Sequence, residues 1–169
     1  MASVVVSPYS SEWPNHFNAL REELLSVFAP MAVAVEHIGS TLVPGLAAKP
    51  VIDVLLGARA LVDIESKIEA LGERGFEYVQ KYERELPMRR YFVKSSATSL
   101  CVHLHAVELG SRLWREHLAF RDALRAEAAL CSRYQTLKLR LAEEFANDKS
   151  GYTAAKGPFI QSVLVGVCE

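Results

Sequence analysis

Cysteine is scarce in this chain and shows no pairing pattern. Cys101, Cys131 and Cys168 are widely spaced and outside any C-x-x-C arrangement, which argues against a disulfide scaffold or a zinc knuckle and points to a reducing cytoplasm. Net charge is lacking too. Nineteen Lys and Arg stand against twenty Asp and Glu, leaving −1, so no overall basic field draws the chain to nucleic acid or to an anionic membrane. Nucleic-acid binding would need a local patch, and Arg84, Arg89, Arg90 and Lys94 are the nearest thing to one. No apolar run approaches the ~20 residues that cross a bilayer. The opening MASVVVSPYSSEW has three consecutive valines with no basic stretch before them, which is not a signal-peptide pattern. A Walker-type phosphate loop is also missing. Gly39 and Gly45 are six apart, and Lys49 precedes a proline instead of following a glycine and leading into Ser or Thr, so kinase or ATPase chemistry of that type is disfavoured.

The chain does have the material for a core. Half of its 169 residues are hydrophobic and 23% are charged, the profile of a globular domain that buries roughly 70% of its unfolded surface. Ser11 is placed to cap a helix in which Trp13, Phe17, Leu20, Leu24 and Phe28 recur at helical spacing, and Pro30 ends it. Met31–Ile38 and Val51–Leu56 read as strands. Leu61, Ile64, Ile68 and Leu71 mark a second helix, which Gly75 stops. Phe76–Val79, Arg90–Lys94 and Leu100–Val107 read as three more strands, with a polar turn at Ser95–Ser99. Val4–Val6 suits an edge strand or a docked arm. The remainder is helical: one helix capped by Ser111, one through Leu130–Phe145, a break at Asn147–Gly151, and a last stretch from Tyr152 to Val167 interrupted at Gly157-Pro158. The reading is a single α/β unit over 1–169, with a mixed sheet in residues 1–110 and a helical half, 111–169, packed on it.

Val35–Gly57 is the stretch around which the rest is organised. One strand ends in Gly39-Ser40-Thr41, and the next carries Asp53 inside an apolar run. A glycine admits close approach of backbone to a ligand, and neighbouring hydroxyls and amides suit an anion. A carboxylate in a buried strand is costly unless paired, protonated or metal-bound. Asp53 is therefore the most informative residue in the chain. His103-Leu104-His105 adds two imidazoles on one strand face, opposite Val102, Leu104 and Ala106. With Asp53 they form a candidate open metal site, more hospitable to Zn, Mn, Fe or Ni than to Mg. His37, two residues before Gly39, is assigned to the same face as a further ligand. Each imidazole has a plainer reading as a hydrogen-bonded, partly buried side chain, His37 to the Ser-Thr turn or to Asp53.

His37-Ile38-Gly39-Ser40-Thr41, Val43-Pro44-Gly45-Leu46 and Lys49-Pro50-Val51-Ile52-Asp53 resemble the opening signature of the GrpB family. The resemblance continues through His103-Leu104-His105, Phe120-Arg121-Asp122, Tyr134, Leu137-Lys138, Tyr152, Lys156 and Phe159-Ile160. It implies a nucleotidyltransferase fold of the DNA polymerase β type and a small-molecule nucleotide as partner. By the same resemblance, Gly39, Ser40 and Thr41 contact phosphate, and Asp53 is the catalytic metal ligand for a divalent ion (Mg, Mn or Zn). The implied reaction is transfer of a nucleoside monophosphate to an acceptor. GrpB-like domains also occur joined to dephospho-coenzyme A kinase, so a non-catalytic nucleotide- or coenzyme-binding module stands as the alternative, and a metal-dependent hydrolase as a third. One position departs from the superfamily pattern. Asp53-Val54-Leu55 stands where two acids alternate on one face, so the second ligand of a two-metal site is absent.

Cations complete the expected site. Lys49, Arg90, Lys138 and Lys156 fall in or beside the family-like motifs and are assigned to phosphate. Arg89 and Arg90 point to opposite faces of a strand, so one of them reaches the site. Tyr134 and Lys138 share a helix face, as do Tyr152 and Lys156, and line a cleft between the halves. The bland reading of these pairs is packed rings with snorkelling lysines. Trp13 and Trp114 read as structural.

Overall fold

The computed structural model describes residues 6–96 and 100–167. Most of the Val4–Val6 arm, the second half of the Ser95–Ser99 turn and Cys168 lie outside the described residues.

Five strands form one mixed sheet in the order β1-β2-β5-β4-β3. They are β1 (Ala34–Ile38), β2 (Val51–Ala58), β3 (Glu77–Tyr78), β4 (Arg89–Lys94) and β5 (Cys101–Glu108). β2 and β5 run parallel with Asp53 opposite His103 and Leu55 opposite His105, and the other pairs are antiparallel. The apolar pattern sets where strands can run, and hydrogen bonding trims them. β1 starts at Ala34 instead of Met31 because residues 29–33 are spent turning out of the first helix at Pro30, where Met31 N–H bonds the Phe28 carbonyl (2.8 Å). Ser7 pairs with Ala48 through two backbone bonds, docking the N-terminal arm on the loop before β2.

Alternation along the strands gives the sheet two faces. One carries Val35, Ile52, Val54, Leu56, Phe92, Val102, Leu104 and Ala106, covered by Trp13, Phe17, Leu24 and Phe28 of α1 (Trp13–Phe28) and by Ile64 and Leu71 of α2 (Leu61–Glu65) and α3 (Ile68–Glu73). The expected single second helix is thus two, separated where the Ser66 hydroxyl bonds back to the Asp63 carbonyl (2.6 Å) and competes with the helical ladder. Nor does Ser11 cap α1. Glu12 holds the cap position without a side-chain bond, and the Ser10 hydroxyl accepts from Glu12 N–H instead (3.3 Å).

The opposite face is only partly covered. Ile38, Leu55 and Val107 bury against Leu113, Trp114 and Leu118 of α4 (Arg112–Ala126), which starts where Ser111 Oγ accepts from Trp114 N–H, the expected cap. Gly57 lets the Trp114 ring lie on β2, since a Cβ there would sit 2.8 Å from it. α5 (Ala128–Glu144) and α7 (Gly157–Val167) clamp Val43 and Leu46 of the β1–β2 loop. α6 (Lys149–Ala155) begins earlier than the expected break at Asn147–Gly151 allows. The Asp148 carboxylate accepts from Gly151 N–H (2.9 Å), so Lys149–Gly151 are already helical. The final interruption falls at Lys156, and Pro158 sits in the first turn of α7, where its missing N–H costs nothing. No described helix is long and apolar enough to cross a membrane.

Gly39 has φ +75°, and a Cβ there would lie 2.5 Å from Asp53 Oδ2. Gly45 has φ +80° with open space around it. Gly39→Ala is therefore expected to combine strain with a clash and cost about 2 kcal/mol or more. Gly45→Ala carries strain alone, about 1 kcal/mol. Urea denaturation of the two variants compares them directly.

Candidate functional site

The uncovered part of the second face forms the floor of a cavity of about 1140 Å³, walled by the β1–β2 loop, α5, α6 and the segment before β4. Asp53 lines it from β2. The parallel register puts His103 beside it and His105 one pleat further on. His105 Nε2 lies 3.3 Å and His103 Nδ1 3.7 Å from the same carboxylate oxygen, Oδ1. Oδ2 packs against Gly39. Burial raises the Asp53 pKa, but the hydrogen bond from His105 and the positive charge around it, Lys156 included, lower it by more. The group is a carboxylate at neutral pH.

Arg89 determines the state of His105. Its Nη1 lies 3.2 Å from His105 Nδ1, and a guanidinium only donates. Nδ1 therefore accepts, the proton sits on Nε2, and that proton points at Asp53 Oδ1. Both nitrogens of His105 have partners inside the protein, so the ring orients Asp53. His103 is freer. Burial drops its pKa to about 4, so it is neutral at pH 7, and its distance to Asp53 exceeds a hydrogen bond. Tyr91 stands edge-on to His103 (5.7 Å between centroids) and under the Arg89 guanidinium (4.8 Å).

Lysines form the opposite wall. Lys49 and Lys156 lie 5.1 and 4.7 Å from the centroid of the Tyr152 ring. Lys149 lines the same wall. Burial first, and the Lys49 charge second, bring Lys156 down to about 8; Lys49 is lowered by burial and then by Lys149. Lys138 reaches the cavity from α5 but donates to the Ala47 carbonyl. It is 1% exposed, and burial followed by the Lys156 charge takes its pKa to about 7. Gln135 accepts from Ala47 N–H (3.4 Å), and the Tyr134 hydroxyl meets Ser40. One face of α5 thus holds the loop that the Gly-Ser-Thr motif opens.

Of the residues assigned from sequence, Ser40, Thr41, Lys49, Asp53, His103, His105, Lys138 and Lys156 line this one cavity, and Gly39 backs Asp53. Thr41 is buried, with its hydroxyl 3.0 Å from His37 Nε2. Two assignments need correction. His37 faces the other side of the sheet, stacked on Phe17 of α1 (4.7 Å) and 4% exposed. Counting by twos from Gly39 fails because β1 ends at Ile38 and Gly39 turns the chain. Arg90 also lies on the α1 face, bound to Glu65 (2.8 Å) and the Pro87 carbonyl (2.9 Å). Arg89 is the member of that pair that reaches the cavity. Arg121 bridges Glu36, Asp122 and the His37 carbonyl, away from the lysine wall. Arg89 was weighed against Arg90 and the choice between them needed the β4–β5 register. Lys149 was missed, although its seven-residue spacing from Lys156 around Tyr152 carried the signal.

Comparison with known proteins identifies the family and the fold. The model of the GrpB protein family matches residues 3–165. The chain belongs to the GrpB family. The UPF0157 protein YqkA of Bacillus subtilis (strain 168) is 34% identical over 154 residues, 91% of this chain but 44% of YqkA, so the chain spans less than half of that relative. The crystal structure of the conserved GrpB protein from Enterococcus faecalis superposes with a TM-score of 0.86 at 31% identity over 96% of both chains. A structure of the Cid1 poly(U) polymerase with Mg and 3′-dATP bound gives 0.56 at 15% identity, over 89% of this chain and 49% of that one. The mixed sheet with its flanking helices is a nucleotidyltransferase-type fold.

The residues around Asp53 do not fit the two-metal arrangement that the resemblance implies. Among the described residues no group of three or more His, Cys, Asp or Glu side chains is placed to hold an ion. Leu55, at the second acid position, is 0% exposed beneath α4. His105 would have to give up its Nε2 proton to bind an ion beside Asp53, which would turn Nδ1–H against the Arg89 donor.

Two measurements follow from these environments. Lys138 and Lys156 ordinarily titrate at 10.5, and folding lowers them to about 7 and 8. Between those values and the ordinary one the unfolded chain binds more protons, so stability rises with pH across that window. The thermal midpoint should climb from pH 7 to 9.5, and Lys138→Met should flatten the rise. Leu55→Asp should cost about 3–5 kcal/mol, the scale of an uncompensated buried charge, measured by chemical denaturation, without creating metal binding.

Proposed function

We propose that the protein binds a nucleotide-like polyphosphate in this cavity. Lys49, Lys149 and Lys156 contact the phosphates, with Ser40 beside them. One observation carries the reading. Six cations line the cavity (Lys49, Lys81, Arg89, Lys138, Lys149 and Lys156) against two carboxylates, Asp53 and Glu77. Amines crowded into a partly desolvated wall depress one another, and a ligand of opposite charge relieves that cost. The volume is ample for a nucleotide or a phosphorylated coenzyme.

Catalytic transfer of a nucleoside monophosphate is the second reading. It is favoured by the packing of Gly39 directly against Asp53, the juxtaposition of phosphate loop and carboxylate that the superfamily implies. A divalent ion on Asp53 (Mg, Mn or Zn) belongs to that reading. A hydrolase using both imidazoles has less behind it, because Arg89 and Asp53 occupy the two nitrogens of His105.

Calorimetric titration with nucleoside triphosphates tests the first reading. The Lys49→Gln/Lys156→Gln double variant is expected to lose at least about tenfold in affinity, which corresponds to roughly 1.4 kcal/mol. Binding undiminished in that variant removes the lysine wall from the account. Pyrophosphate release that disappears in Asp53→Asn would establish transfer instead, and release of inorganic phosphate would point to hydrolysis.

A further inference from the structure

Two features of the cavity bear on whether its ligand is held with a metal ion. The first is the fixed tautomer of His105. Arg89 Nη1, 3.2 Å from Nδ1, can only donate, which leaves the proton on Nε2 facing Asp53. An imidazole binds a metal through a bare nitrogen. The nitrogen nearest Asp53 is not bare, and exposing it would set two donors against each other at Nδ1. The second feature is the position of the ammoniums. Lys49 and Lys156 both lie within about 5 Å of the Tyr152 centroid, and Lys149 shares their wall. A divalent cation entering beside Asp53 would meet this positive field, whereas the phosphates it normally accompanies would be attracted by it.

We propose that this site holds the phosphate groups of its ligand without a divalent cation, the three lysines neutralising them while Arg89 keeps His105 in the tautomer that cannot ligate. Arg89 is here a positioning residue, and it decides the kind of cation the site uses. The inference rests on the polyphosphate reading above and adds to it which charges bind the anion. It also reverses the role of Asp53. In a metal-based site this carboxylate is indispensable. In a lysine-based site it opposes the ligand and serves only to orient His105 and moderate Lys156.

The test uses the full chain and sodium tripolyphosphate, titrated calorimetrically in buffer with EDTA and in buffer with Mg2+. Affinity in EDTA is expected to equal or exceed that with Mg2+, and Asp53→Asn is expected to bind as tightly as the wild type or several-fold tighter. Binding that needs Mg2+, or that falls about tenfold or more in Asp53→Asn with an unchanged melting temperature, overturns the proposal. A separate arm needs no anion. Electron paramagnetic resonance of added Mn2+ should show no stoichiometric site in the wild type. Nitrogen-15 spectra should show His105 protonated at Nε2, with that preference lost in Arg89→Leu. One equivalent of Mn2+ held by the wild type and released in Asp53→Asn, or a His105 protonated at Nδ1, also overturns it. Failure of tripolyphosphate to bind in either buffer overturns the polyphosphate reading, and the Mn2+ and nitrogen-15 results then stand on their own for Arg89.

Discussion

The carboxylate of Asp53 is the constraint around which the cavity is arranged. It sits on an inner strand with one oxygen against Gly39 and the other facing two imidazoles. A charge in that position demands partners, and each partner fixes something else. Contact with Gly39 requires a residue without a Cβ at the exit of β1, which sets the path of the following loop. The bond from His105 requires a proton on Nε2, which Arg89 secures from the next strand. The β2–β5–β4 register is thus tied to one side chain, and the loop, the sheet and the cavity floor are specified together.

The same arrangement accounts for a nucleotidyltransferase-type sheet with a different interior. Where the superfamily resemblance implies a second acid, Leu55 packs with Ile38, Val107, Leu113, Trp114 and Leu118. The missing carboxylate is therefore part of a hydrophobic seam that attaches α4, and its absence is matched by the helix above it. Positive charge lies on the opposite wall, on lysines of the β1–β2 loop and of the α6 region.

Much of this was legible in the sequence, and its limits have physical causes. Alternation in β5 separated His103 and His105 from Val102, Leu104 and Ala106, and the fold keeps that separation because one face is a continuous core. Asp53 stood out because its neighbours are apolar. The Gly-Ser-Thr turn was visible from composition. His37 was misplaced because strand parity does not survive a glycine at positive φ. Arg89 and Arg90 could be assigned to opposite faces but not to particular ones, since that choice depends on which residues of β5 they meet. Helix boundaries shifted where short polar side chains, Ser66 and Asp148, made local bonds that hydrophobic spacing does not encode.

α5 touches Ala47 twice, through Gln135 at its N–H and Lys138 at its carbonyl. The second contact is made by an ammonium buried close to another amine, with no carboxylate at hand. Burial and the neighbouring Lys156 charge both disfavour the charged form of that ammonium, so on the polyphosphate reading this fastening is weakest when the cavity is empty. An anion settling nearby would strengthen the joint between helices and loop at the moment of capture, so recognition and cohesion become one event.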